Sequence, residues 1–154
     1  MLQIGKKGDS KMKALTKQDL MELGIDVSRL ENGEYLVRHY GRNKSSLKRS
    51  LKVIKASIIG KKHQYGKDCM YKAYLFHENG KAYTISEHRL VYAWFIDDIP
   101  AKYDVDHIDG DKMNNSLDNL QLLTRKENLA KRTLTQTEIN NLYYAMKKGE
   151  QNGR

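Results

Sequence analysis

The sequence predicts a small α+β protein, and three observations carry that prediction. Two β-prone runs, Tyr71 to Phe76 and Lys81 to Ile85, flank His77-Glu78-Asn79-Gly80, and Asn-Gly is a strong hairpin-turn signal. Directly after them Leu90, Val91, Trp94 and Phe95 recur at helical spacing behind Ser86, with Pro100 beyond the end. Two capping-box patterns, Thr124-Arg125-Lys126-Glu127 and Thr135-Gln136-Thr137-Glu138, open further helices. At 154 residues the chain suffices for one ordinary domain or two small modules.

Taken in order, Thr16 followed by Asp19, Leu20, Met21 and Leu23 predicts a short capped helix that Gly24 ends. Residues 34–40 and about 49–59 read as extended or mixed. The hairpin and the Ser86 helix come next, and Tyr74, Tyr83, Tyr92 and Trp94 are assigned to the core or its rim. Residues 104–123 are polar and rich in Asp and Asn, threaded by Val105, Ile108, Leu117, Leu120, Leu122 and Leu123. The helix opened at Thr124 should run to about Lys131, and the one opened at Thr135 should end at Gly149. That last helix places Ile139, Leu142, Tyr143 and Met146 on one face. Such a stripe cannot be buried by one helix, so it is expected to pack back on residues 70–132 or on a second copy, or to be the first helix of a truncated DNA-binding appendage.

Lys and Arg number 28 against 19 Asp and Glu, and the formal charge of +9 points to an acidic partner, nucleic acid first. The excess is local. Between residues 38 and 72 stand Arg38, Arg42, Lys44, Lys48, Arg49, Lys52, Lys55, Lys61, Lys62, Lys67 and Lys72, opposed only by Asp68. Leu47, Leu51, Val53, Ile54, Ile58 and Ile59 alternate with these charges, and Tyr40, Tyr65 and Tyr71 lie nearby. This interleaving predicts an ordered phosphate-facing surface rather than a solvated tail. The single cysteine, Cys69, excludes an intramolecular disulfide and a zinc site built on several thiolates, which fits a reducing compartment. No run approaches the roughly 18 apolar residues of a membrane span, and the first residues lack a signal-peptide core. The expectation from these features is a cytoplasmic protein with no membrane partner.

The chemistry concentrates in Asp106 to Asn128. A calcium loop is excluded by register: with Gly110 at the turn position, the first, third and twelfth ligand places fall on Val105, His107 and Ser116. Asp106-His107, then Asn114-Asn115 with Asp118-Asn119-Leu120, then Glu127-Asn128 form a different joint pattern. It resembles the HNH endonuclease motif in its phage- and intron-encoded homing branch, where functional asparagines stand 12 and 21 residues after the histidine, as Asn119 and Asn128 do here. The coincidence of Asp106, His107, Asn119 and Asn128 has odds of roughly one in 10⁵ per start position at ordinary residue usage. The resemblance extends upstream through Glu87-His88-Arg89-Leu90-Val91-Tyr92-Ala93-Trp94-Phe95 and covers about residues 70–132.

That resemblance implies a ββα-metal site, two short strands around a loop followed by a helix that carries the final asparagine. It implies a metal-dependent endonuclease hydrolysing double-stranded DNA by nicking or double-strand cutting, with His107 as general base and Asp106 and Asn128 as ligands of one Mg²⁺ or Mn²⁺. Asn119 is expected to tie the loop together so that the imidazole keeps one tautomer, with Asp109 and Asn115 as supporting groups. His88, Arg89 and Arg125 join the basic stretch as candidate phosphate contacts. Two departures stand out: many HNH domains add a Cys-x-x-Cys zinc scaffold that Cys69 alone cannot supply, so no structural zinc is expected, and Asn128 stands where some relatives carry an acidic or histidine ligand. The expected organisation is a basic DNA-binding region at 1–69, a nuclease domain at 70–132 and a C-terminal amphipathic helix and tail at 133–154, in a monomer or homodimer. Two other functions fit less of the sequence: a DNA-binding protein that keeps the HNH shape without cleavage, and a basic RNA-binding protein.

Overall fold

The computed structural model describes residues 14–42, 48–61, 69–131 and 136–151. Among them lie eight strands in three small antiparallel sheets, four α-helices and one 3-10 turn. The mixed α+β class is as the sequence predicts.

Helix α1 (Lys17–Glu22) carries the expected capping box, with Thr16 Oγ1 accepting from the Asp19 N–H at 3.0 Å and the Asp19 carboxylate accepting from the Thr16 N–H at 2.8 Å. Gly24 turns the chain out of the helix at φ +76°, and a Cβ there would lie 2.6 Å from the Tyr40 carbonyl oxygen, so the position admits only glycine. The chain then builds an antiparallel sheet from β1 (Ile25–Arg29), β2 (Tyr35–Arg42) and β3 (Arg49–Ile54). Ile25, Val27, Val37 and His39 are buried on one face. The register Asp26↔Arg38↔Val53 and Tyr40↔Leu51 places Asp26, Arg38, Tyr40, Leu51 and Val53 on the other face. The extended run expected over 49–59 is divided: β3 pairs with β2, whereas β4 (Ser57–Lys61) pairs with β5 (Cys69–Glu78) in a second sheet. Lys55 and Ala56 bridge the two.

The hairpin of β5 and β6 (Lys81–Ser86) turns through Asn79 and Gly80 at φ 51° and 76°, and two consecutive positive φ values are what an Asn-Gly hairpin turn requires. Helix α2 (Glu87–Phe95) follows and buries Leu90, Val91, Tyr92 and Ala93. Its predicted stripe is rotated, because Phe95 is exposed and Trp94 only half-buried. Strands β7 (Tyr103–His107) and β8 (Leu120–Thr124) pair antiparallel around a loop that ends in the 3-10 turn Leu117–Asn119. Helix α3 (Arg125–Lys131) opens with the expected box, Glu127 Oε2 accepting from the Thr124 N–H and Oγ1–H at 2.7 Å each.

Helix α4 (Gln136–Gln151) runs past Gly149 rather than ending there, since glycine without a left-handed turn only weakens a helix. Its stripe is buried only at Ile139, while Leu142 and Met146 remain about half exposed. One apolar cluster joins Val27 and Val37 of the first sheet to Tyr74, Phe76, Ile85, Leu90, Val91, Val105 and Leu120. Leu15 and Ile99 exchange both backbone hydrogen bonds at 2.9 Å, which stitches the segment before α1 to the segment before β7.

Candidate active site and nucleic-acid face

Strand alternation sorts the residues of β7. Val105 and His107 turn to the core, and Asp104 and Asp106 turn to the opposite side, toward α3. Arg125, Asn128 and Lys131, spaced three apart on α3, share the face that meets them. Arg125 Nη1 lies 3.2 Å from Asp104 Oδ2, and the Asn128 amide nitrogen donates to the same oxygen at 2.8 Å. Lys131 Nζ donates to Asp106 Oδ2 at 2.5 Å and to the His107 carbonyl oxygen, and Gln121 Nε2 donates to Asp106 Oδ2 at 3.0 Å.

His107 is buried, and its Nε2 lies 2.7 Å from Asn115 Oδ1. Asn115 in turn donates from Nδ2 to Glu87 Oε1 at 2.8 Å, and the Tyr74 hydroxyl donates to Glu87 Oε2 at 2.5 Å. Glu87, in the first turn of α2, is itself buried, and the positive end of the helix dipole favours a carboxylate there. The His88 ring packs edge-on against His107, centroids 5.0 Å apart. Burial pushes the His107 imidazole below the ordinary histidine range, outweighing Asn115, Asp106 and Asp109, which raise it, while Lys131 adds to the lowering. At neutral pH the ring is therefore uncharged, the form that accepts a proton. Burial also raises the Tyr74 hydroxyl, with Glu87 adding to the effect, so this tyrosine stays a donor.

Asn119 is fully buried, with an exposure of 0%. Its Oδ1 accepts from the Asp109 N–H at 3.1 Å, and its Nδ2 donates to Asp109 Oδ1 at 3.0 Å and to the Asn114 carbonyl oxygen at 2.8 Å. These bonds tie Asp109 to Asn114 across the loop. The side chain that meets the imidazole is Asn115, not Asn119.

The two expected metal ligands lie on the β7–α3 face, but Asn128 turns its amide nitrogen to Asp104 rather than to Asp106. That leaves the amide oxygen as the atom Asn128 would offer to a cation. Asp106 and Asn128 would each supply a hard oxygen donor, and the Lys131 ammonium held between Asp106 and the His107 carbonyl shows that the Asp106 side of this face stabilises positive charge. The residues fit a small divalent cation on that ground. Among the described residues no group of three or more His, Cys, Asp or Glu side chains is disposed around one point.

Of the candidate phosphate contacts, Lys48, Arg49, Lys52 and Lys55 are exposed and Arg38 is half-buried. Arg38 Nη2 pairs with Asp26 at 2.7 Å and also reaches Ser28. Arg49 pairs with Glu78 at 2.9 Å and lies over the Tyr40 ring at 5.8 Å. Tyr40, Leu51 and Val53 stand 47%, 56% and 59% exposed between these arginines, so the outer face of the first sheet is both cationic and apolar. Arg42 and Lys61 end β2 and β4. Lys44 and Lys62 lie outside the described residues. Arg125 is ion-paired but nearly half exposed, and His88 faces His107. Arg89 departs from expectation: it is buried, with Asp104 as the charge that counters the burial, which places it in the interior rather than on a phosphate-facing surface.

Sequence reasoning missed Glu87, Asp104, Gln121 and Lys131. Glu87 carried one usable sign, an acidic residue opening an otherwise apolar helix. Its partner Asn115 lies 28 residues away, beyond any periodic signal.

Comparison with known proteins bears on the same segment. Residues 87–130 match the HNH endonuclease family. Over 41 residues the chain is 56% identical to the SPbeta prophage-derived protein YosQ of Bacillus subtilis (strain 168), named as an HNH homing endonuclease, covering 27% of this chain and 24% of that one. Over 106 residues it is 33% identical to the H-N-H endonuclease F-TflII of Escherichia phage T5, covering 68% and 50% respectively. The aligned stretches thus span a quarter and a half of the lengths of these curated relatives. No solved structure matches the chain at a significant level. The matched segment opens at Glu87 and closes just after Asn128, so it frames the buried histidine, its asparagine and the α3 face described above, and it is this segment of the chain that is similar to HNH endonucleases.

Proposed function

We propose that the chain is a metal-dependent endonuclease that hydrolyses phosphodiester bonds of double-stranded DNA. The observation that carries this reading is His107, buried, uncharged at neutral pH and held by a side-chain hydrogen bond beside Asp106 in the family's strand–loop–strand–helix unit. In this role His107 takes the proton of the attacking water. Asp106 and Asn128 hold one Mg²⁺ or Mn²⁺, which when bound stabilises charge on the scissile phosphate and the leaving oxygen. Asn119 keeps the loop rigid so that imidazole and carboxylate hold their spacing. The duplex lies against the first sheet and its rim, where Arg38 and Arg49 on the outer face and the exposed Lys48, Lys52 and Lys55 around it supply sequence-independent attraction to its phosphates. Folding draws on no zinc scaffold, since Cys69 is the only thiol.

A supercoiled plasmid incubated with the protein in Mg²⁺, in Mn²⁺ and in EDTA tests this. Relaxed or linear product that EDTA abolishes, with an unchanged melting temperature, is the expected outcome. Tight binding without product would instead leave a DNA-binding protein of HNH shape, and preferential competition by RNA would favour an RNA-binding protein. A large loss of folded protein in EDTA would overturn the absence of structural zinc.

A further inference from the structure

The Tyr74–Glu87–Asn115–His107 chain has a direction, and the direction matters for the base. Both Glu87 oxygens accept, one from the Tyr74 hydroxyl at 2.5 Å and one from Asn115 Nδ2 at 2.8 Å. With its amide nitrogen committed to a carboxylate, Asn115 can present only its oxygen to the imidazole, and Oδ1 lies 2.7 Å from His107 Nε2. Two acceptors at that distance repel, so Nε2 must carry the hydrogen. A neutral imidazole has a single N–H, and the lone pair is therefore on Nδ1. Resting on the nuclease reading above, we propose that Glu87 and Asn115 are positioning residues that fix His107 in its Nε2–H tautomer and so select Nδ1 as the basic atom.

The arrangement is built for this and not only for packing. Glu87 is 4% exposed, Asn115 5% and His107 6%, so water does not compete for these bonds and the cost of reversing any one of them is high. Glu87 also ties the tautomer to α2, since its backbone is the first turn of the helix that carries the core residues Leu90 and Val91. Lys72 Nζ lies 3.9 Å from Glu87 Oε1, on the same oxygen that accepts from Asn115. The order of the chain is the argument: an accept-only end at Glu87 forces every bond downstream.

The test reads the tautomer directly. In metal-free, DNA-free protein labelled with ¹⁵N-histidine at pH 8, the His107 nitrogens should show the Nε2–H pattern. Asn115→Leu removes the acceptor, and the signal should shift toward a mixture or to Nδ1–H. Combining Glu87→Gln with Asn115→Asp keeps an oxygen opposite Nε2 while exchanging donor and acceptor in the bond between the two side chains, and should retain the wild-type pattern. Glu87→Gln lets Asn115 adopt either orientation and should give a mixed signal. Plasmid cleavage in Mg²⁺ should fall by about 10- to 100-fold in Asn115→Leu, with DNA affinity in Ca²⁺ unchanged, and should recover substantially in the Glu87→Gln, Asn115→Asp double variant. Circular dichroism establishes that each variant is folded, and the two polar variants carry the test should Asn115→Leu not fold. A wild-type Nδ1–H pattern, or a tautomer unchanged in folded Asn115→Leu or Glu87→Gln, would overturn the proposal. These spectra stand apart from catalysis: failure of wild-type protein to cut DNA would defeat the nuclease reading, whereas normal cutting with the wrong tautomer would defeat only this one.

Discussion

Replacing Asn119 by Asp changes almost nothing in shape and reverses the polarity of the loop's central bonds. The native amide nitrogen donates to Asp109 Oδ1 at 3.0 Å and to the Asn114 carbonyl at 2.8 Å. In the variant an oxygen faces both acceptors with no exposure to water, since the site has 0% exposure. Two lost hydrogen bonds at about 1 kcal/mol each, and at least one buried acceptor left unsatisfied at about 1–3 kcal/mol, give a loss of roughly 3–5 kcal/mol. For a chain of this length 1 kcal/mol moves the melting temperature by about 2–4 °C, so Asn119→Asp should melt roughly 6–20 °C below wild type. Calorimetric or circular-dichroism melts at pH 7.5 measure it. Asn119→Ala, which loses the bonds without adding an opposed oxygen, should fall between the two. Lowering the pH toward 4 should narrow the gap between Asn119→Asp and wild type, because a protonated carboxyl regains one donor. A melting temperature within about 2 °C of wild type would refute the assignment of this amide as the brace of the loop.

His107→Ala should lower the cleavage rate by about 10² to 10⁴ while leaving DNA affinity in Ca²⁺ intact, and cutting at the wild-type rate would remove His107 as the base. Neutralising Lys48, Arg49, Lys52 and Lys55 together should flatten the slope of log affinity against log salt by up to about 4, at −0.9 per phosphate contact, and an unaltered slope would mean that DNA is held elsewhere. Burial holds the His39 imidazole below the ordinary histidine range, although Glu78 beside it opposes this and Arg49 reinforces it. The unfolded chain therefore takes up this proton first, and the stability that neutral His39 contributes is complete above about pH 6.5 and declines as pH falls below it. Denaturant melts at pH 7.5 and 5.5 should show a smaller pH-dependent loss in His39→Gln than in wild type, and equal losses would refute the assignment.

Local signals were legible in the sequence and long-range ones were not. Thr16 with Asp19, Thr124 with Glu127, and Asn79-Gly80 each specify a backbone event within four residues, and each is found as read. Strand β1 was not foreseen, because five residues with only Ile25 and Val27 buried give too short a period; the Asn32-Gly33 pair before β2 was the available hairpin signal. The pattern of Asp106, His107 and Asn119 identified the loop, yet the hydrogen-bonded partners of the first two come from Asn115, Gln121 and Lys131, set by folding rather than spacing. The end of α4 was misplaced because glycine is a stop only where the chain turns left-handed.

The first sheet separates two kinds of constraint along one strand. In β2, Val37 and His39 are buried, while the intervening Arg38 and Tyr40 face outward opposite Val53 and Leu51. The inward set is locked to the same interior that supports α2, β7 and β8, so this sheet cannot be exchanged as a cassette without dismantling the shared core. The outward set carries no such burden. The outer positions can therefore be revised one at a time, altering what the surface prefers while the packed interior beneath it stays as it was.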